Sequence, residues 1–195
     1  MNPYAYTDKA LKYLRRFYIT EFNRAKMTIR ADGLNVISVS TRLYQRISQE
    51  TERVFRVIAK RKYREITGED FLIGMWLSGF LGESNPLTGY VWRNDIDRKR
   101  QYFAEDVLSG EPINKAVKKA LRYWYNAQKQ YADLVTDAAA MQAYIDSGVQ
   151  KVRWRTAEDE AVCAVCNGRD GLIYDIDKAP KKPHYNCRCW LQKVG

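Results

Sequence analysis

The chain of 195 residues carries 33 Lys and Arg against 23 Asp and Glu, a formal net charge of +10, with 46% hydrophobic residues and only 11 Gly and 5 Pro. It is long enough for a real core without staples, and too apolar to be a disordered tail. Its positive surplus points to an anionic partner, whether nucleic acid, a membrane surface or an acidic protein.

Met1-Asn-Pro-Tyr and the residues after it lack the short basic region and continuous apolar stretch expected of a secretory signal. The longest apolar run, from Phe71 to Leu81, is interrupted by Gly74, Ser78 and Gly79 and falls well short of the about 20 residues that a membrane span needs. The expectation is a soluble protein of a reducing compartment, where cysteines serve as ligands more readily than as disulfides.

Thr7 and Asp8 read as a helix start, after which Leu11, Leu14, Tyr18, Phe22, Ala25 and Ile29 recur at steps of three and four toward a stop near Gly33. Lys12, Arg15, Arg16, Arg24, Lys26 and Arg30 on the other faces read as a solvated basic surface. The stretch from Leu34 to Val39 reads as extended or as a bend, with Ser40 or Thr41 capping a second helix. That helix carries Leu43, Ile47, Thr51, Val54 and Ile58 and closes through Lys60-Arg61-Lys62 at Thr67-Gly68. Cations in a last turn suit the helix dipole as well as they suit DNA.

Glu69 and Asp70 favour the start of a third helix, whose apolar residues from Phe71 to Leu81 leave no polar face and predict burial on all sides. The Gly82 to Gly89 stretch, with Asn85-Pro86, is a loop. A fourth helix begins at Asn94 or Asp95, turns Ile96, Phe103 and Val107 inward and Arg98, Lys99 and Arg100 outward, and ends at Ser109-Gly110. Pro112 fits the first turn of a fifth, where Val117, Leu121, Trp124, Tyr131, Val135 and Ala138 carry a stripe to Tyr144 before Ser147-Gly148. A break near Asp133 is the alternative to one long rod. Tyr123-Trp124-Tyr125 reads as core rather than as a base-stacking platform.

After Gly148 the period changes to two. Val152 and Trp154 alternate with Lys151, Arg153 and Arg155, a half-buried strand with one apolar and one basic face, and the basic face is the candidate DNA contact. Lys and Arg on an edge strand would also block edge-to-edge pairing. The predicted fold is α+β, a mainly α-helical body (residues 1–147) followed by a small zinc-stapled, β-containing unit (residues 148–195).

All four cysteines and the single histidine fall between Cys163 and Cys189. In Cys163-x-x-Cys166 a tight turn can aim both sulfurs at one ion, about 2.3 Å away for zinc. Asn167-Gly168-Arg169-Asp170-Gly171 reverses the chain, Leu172-Ile173-Tyr174 reads as a short strand, and Pro180 and Pro183 bracket a loop that delivers His184. His184-x-x-Cys187 repeats the first spacing, so two knuckles can close a tetrahedral site, with Cys189 able to replace Cys187. A closed site of thiolates and one imidazole leaves no position for a reacting water, so the zinc would be structural, contributing about 10–16 kcal/mol to folding this unit. Disulfides, a redox C-x-x-C and a nuclease using His184 as general base are the alternatives; the first needs an oxidising space, the second leaves His184-x-x-Cys187-x-Cys189 unexplained, and the third finds no second histidine and no convincing carboxylate cluster for a catalytic cation.

Trp154-x-Thr156, Glu158-Asp159, Cys163-x-x-Cys166, Asp170-Gly171, a proline-bearing loop and His184-x-x-Cys187-Arg188-Cys189 together resemble the C-terminal signature of the phage Mu F-like head morphogenesis, or minor capsid, proteins. The resemblance runs from about Val135 to Leu191. Two positions depart from it: Val135-Thr136-Asp137 stands where the family carries an Arg-Thr-Glu-like triplet, and Tyr185 where a proline commonly follows the histidine. The resemblance implies a non-enzymatic structural protein of the virion, placed at the portal or capsid interior, whose partners are portal, capsid or scaffold protein and, non-specifically, DNA. A metal-dependent nuclease or toxin delivered with the genome, and a zinc-ribbon regulator, are the other functional classes.

Overall fold

A computed structural model describes residues 2–32, 35–85, 88–156, 162–184 and 187–194. The stop near Gly33, Pro86, Glu158-Asp159 and Tyr185 lie outside the described residues.

Helix α1 (Ala5–Asp32) buries Leu11, Leu14, Tyr18, Phe22, Ala25 and Ile29, the stripe that their spacing predicts. Helix α2 (Val36–Thr67) begins where the sequence reads as extended or bent. Ser40 and Thr41 are not caps; they sit inside its first turns and donate back to the Ile37 carbonyl at 2.8 Å. Val36, Val39 and Leu43 face the core together, so burial of a continuous stripe outweighs the strand preference of β-branched residues. Thr51, the polar member of that stripe, is buried with its hydroxyl 2.6 Å from that of Tyr18. Gly68 ends α2 at φ +78°, a left-handed cap whose N–H returns to Arg64 O.

Helix α3 (Ile73–Gly82) starts later than the acidic pair predicts, because Asp70 is ion-paired with Arg64 at the end of α2 instead of capping α3. Nor is α3 buried on all sides. Phe71, Ile73, Leu77 and Leu81 face the core, whereas Leu72 and Met75 are 92% and 91% exposed. Ten residues at the edge of the body contact α2 and α4 on one side only.

Helix α4 (Trp92–Leu108) begins two residues before the predicted Asn94 and buries Trp92 and Phe103. Arg98, Lys99 and Arg100 are half-buried, not outward: Arg98 and Lys99 bind the buried Asp95 at 2.5 and 3.0 Å, and Arg98 covers the Tyr90 ring. Helix α5 (Ile113–Asp146) runs unbroken past Asp133, about 51 Å at 1.5 Å per residue. Trp124 is buried edge-on against Tyr18 and Tyr44 while Tyr123 is half exposed, so the aromatic triplet is anchored in the core. Helices α1, α2, α4 and α5 enclose one apolar core.

Strands β1 (Lys151–Arg155), β2 (Ile173–Asp175) and β3 (Trp190–Lys193) form an antiparallel sheet in the order β2-β1-β3. The basic strand is therefore central and not an edge. The third strand is absent from the sequence reading, where the cysteine pattern masks its short run of alternation. A second core gathers Trp154, Cys166, Cys187 and Cys189. Among the described residues no helix is long and apolar enough to cross a membrane.

Candidate metal centre

Cys163 sits at the N-terminus of the single-turn helix α6 (Ala164–Asn167) in extended conformation, and its sulfur accepts from the Cys166 N–H at 3.4 Å. The turn that follows is sewn to β1: the Gly171 N–H donates to Trp154 O, and the Trp154 N–H to Leu172 O, both at 2.9 Å. Asp170 adds a carboxylate oxygen 2.9 Å from the Thr156 N–H. Gly171 closes this turn at φ +77°, a conformation that side-chain-bearing residues avoid. On the other arm the Cys187 N–H reaches His184 O at 3.4 Å, the turn expected of His-x-x-Cys.

The two arms meet. His184 Nε2 lies 3.0 Å from Cys163 Sγ and 3.8 Å from Cys166 Sγ, and Cys166 Sγ lies 3.5 Å from Cys187 Sγ. Cys163, Cys166 and His184 form one group with ligand atoms within 4.8 Å of one another, and Cys166, Cys187 and Cys189 form another. All five predicted ligands converge, with Cys166 common to both groups. Zinc–sulfur bonds of about 2.3 Å in a tetrahedron place sulfurs roughly 3.7 Å apart, close to the spacings around Cys166. The four cysteines are free thiols. The donor set and its spacing fit a zinc ion.

The sulfurs are not equivalent. The Cys166 N–H, the thiol of Cys166 and His184 hold Cys163 down to about 7. Burial raises Cys166 far above the usual thiol range, and burial, reinforced by Cys187, raises Cys189 to about 11 against the pull of the Cys166 thiol and of the Trp154 indole N–H. The buried sulfurs of Cys166 and Cys189 resist ionising alone, and a bound dication would supply the charge that makes thiolates favourable.

Residues 99–192 match the family model described as phage Mu protein F like protein. Over this span the chain is Mu F-like. The match contains the whole cysteine and histidine cluster and points to phage head morphogenesis. No curated protein matches the chain, and no solved structure does.

The Mu F-like span also gives the Val135-Thr136-Asp137 triplet its setting. Thr136 Oγ1 is buried 2.8 Å from Thr7 Oγ1, and Asp137 Oδ1 accepts from the Tyr4 hydroxyl at 2.6 Å. Lys182 Nζ spends its three protons on Asp137 Oδ2 (2.6 Å), Tyr4 Oη (2.7 Å) and Cys187 O (2.8 Å). The Tyr4 ring carries Lys182 and Arg188 as cations over it, and Arg188 reaches on to Asp8 at 3.1 Å. The ligand knuckle is thus clasped to α1 and α5. Sequence reasoning missed this clasp, since Tyr4 and Lys182 are 178 positions apart and nothing local marks either.

Lys151, Arg153 and Arg155 share the face of β1 opposite Val152 and Trp154. Lys151 is exposed and paired with Asp175 at 3.3 Å, while Arg153 and Arg155 are half-buried.

Proposed function

We propose that the chain is a head morphogenesis protein acting at the portal or the capsid interior, whose C-terminal unit is held by a structural zinc. Convergence of Cys163, Cys166, His184, Cys187 and Cys189 inside the Mu F-like span carries this reading. Cys163, Cys166 and His184 supply three ligands, and Cys187 or Cys189 the fourth. The zinc would organise the two knuckles against β1 and so present Lys182 and Arg188 to the body. The change of period at Gly148 and the separate sulfur-lined core support two units, residues 1–147 and 148–195.

Non-specific DNA contact through Lys151, Arg153 and Arg155 is part of the reading, supported by their common face and the net charge of +10. A nuclease would need His184 free as a base, whereas its Nε2 sits among sulfurs. The deciding measurement is elemental analysis of purified protein, paired with chelation followed by circular dichroism. One zinc per chain and loss of C-terminal structure on chelation are the expected results; metal-free protein with an intact sheet would refute the staple.

A further inference from the structure

The two cysteines that end the cluster are held from behind. In Cys187-Arg188-Cys189 the outer side chains are buried with Cys166 and Trp154, while Arg188 leaves on the other side to reach Asp8 at 3.1 Å, the alternation of an extended chain. The peptide carbonyls of both cysteines are engaged as well. Cys187 O accepts from Lys182 Nζ at 2.8 Å, and Cys189 O lies 3.0 Å from the Tyr4 hydroxyl. Lys182 stands two residues before His184, so one ammonium ties the histidine arm to the cysteine arm.

These anchors are themselves fixed. Tyr4 is 1% exposed, its hydroxyl donates to Asp137 Oδ1 on α5 at 2.6 Å and accepts from Lys182 at 2.7 Å, and its ring lies under the cations of Lys182 and Arg188 at 4.8 and 4.7 Å. The Asp8 N–H donates to the Tyr4 carbonyl at 2.8 Å, which fastens the same residue to the first turn of α1. Tyr4 therefore stands between that turn and the ligand arm, one hydrogen bond from each.

A tetrahedral ion tolerates ligand displacements of only about 0.2 Å, and groups that orient metal ligands through hydrogen bonds typically change affinity by about 10–100-fold when removed. Deleting the Tyr4 hydroxyl would leave Asp137 Oδ1, one Lys182 proton and the Cys189 carbonyl without this partner in a buried site. The helices are fixed in the main core, whereas residues 187–189 precede the β3 ladder, so the ligand arm is the part that shifts.

We propose that Tyr4 and Lys182 are positioning residues of the metal centre, so that metal binding and the fixing of the first turn of α1 strengthen each other by the same factor. This rests on the structural-zinc reading for the identity of the ion. It adds a point of control that lies, for Tyr4, outside the residues 99–192 of the family match.

The test measures zinc affinity of the full chain at pH 7.5 by competition with a chromophoric chelator. Tyr4→Phe keeps the ring and the net charge and should weaken binding about tenfold or more, and Lys182→Met should do the same. Two controls separate positioning from charge and from general stability. Lys181→Met removes an exposed cation from the same loop, and Ile58→Val trims the main core, apart from the sulfur-lined one; each should stay within about twofold of the wild type.

Reciprocity supplies a readout that needs no variant. Zinc should slow hydrogen exchange of the Asp8 amide about tenfold in the wild type, and hardly at all in Tyr4→Phe. Circular dichroism checks that each variant keeps its helices; if Tyr4→Phe unfolds, Lys182→Met and the wild-type exchange decide. Variants that hold zinc as tightly as the wild type, losses no larger than those of the controls, or an Asp8 amide indifferent to zinc would each overturn the positioning role and leave the staple standing. A wild type that binds no zinc would remove the staple and this proposal with it.

Discussion

At the scale of single residues, the sulfur cluster makes its own chemical order. Cys163 ionises near 7 because an N–H and His184 favour its thiolate, while burial keeps Cys166 and Cys189 protonated. In metal-free protein at pH 8, iodoacetamide should therefore modify Cys163 first, by mass spectrometry of digested protein. At pH 6 Cys163 is mainly the thiol, so its alkylation should slow about tenfold while remaining the first to occur; zinc should protect it at both pH values. Asp133 makes a second residue-scale prediction. It is buried on α5 with Oδ1 unbonded, and burial raises it to about 6 despite the charges of Lys182 and Arg188. A carboxyl raised in the folded state destabilises above that pKa, and the penalty disappears as pH falls from 6 toward the unfolded value of about 4. Asp133→Asn should therefore raise stability at pH 7.5 by up to roughly 2–3 kcal/mol and change little near pH 4, as read from denaturant melts.

At the scale of elements, the turn between α6 and β2 and the clasp on Tyr4 control how the metal unit is held. Gly171→Ala meets no neighbouring atom, so its cost is backbone strain alone, about 1–2 kcal/mol, appearing as weaker zinc retention against a chelator. Lys182→Met removes the cation beside Asp137, whose side chain is 29% exposed although the Oδ2 facing Lys182 is buried; the loss should be about 2 kcal/mol, less than for a fully buried pair. Limited proteolysis should then cut near the His184 knuckle while the helices survive. Helix stripes, the left-handed stop at Gly68 and the alternation of Val152 and Trp154 were legible because each is a local period or a local φ requirement. Burial of α3 was misread because apolar composition does not say how many neighbours a helix will have. The start of α2 was misread because β-branched Val36, Ile37 and Val39 carry a strand preference that the core overrides. Cys187 and Cys189 both arrive at the cluster, so the ambiguity in the spacing persists in the geometry.

At the scale of the whole molecule, the charge of +10 is spread over several helices, and some of its cations are paired within their own turns, as in Arg53 with Glu50 and Arg56 with Glu52. DNA affinity, measured by fluorescence anisotropy, should therefore be modest and should fall steeply between about 50 and 200 mM salt. Arg153→Ala with Arg155→Ala should flatten that slope by up to about two released counterions. An affinity indifferent to salt would remove phosphate contact from the reading. The clasp has one further consequence, in time. Tyr4 lies against the carbonyl of Cys189, 185 positions away, so this contact has among the highest sequence separations in the molecule. During synthesis α1, α2 and α5 can pack long before Cys189 exists, leaving Tyr4, Asp8 and Asp137 as a waiting receptor. The C-terminal unit closes onto that receptor last, after its cysteines emerge, and the rate of this late step should depend on how much zinc is present at that moment.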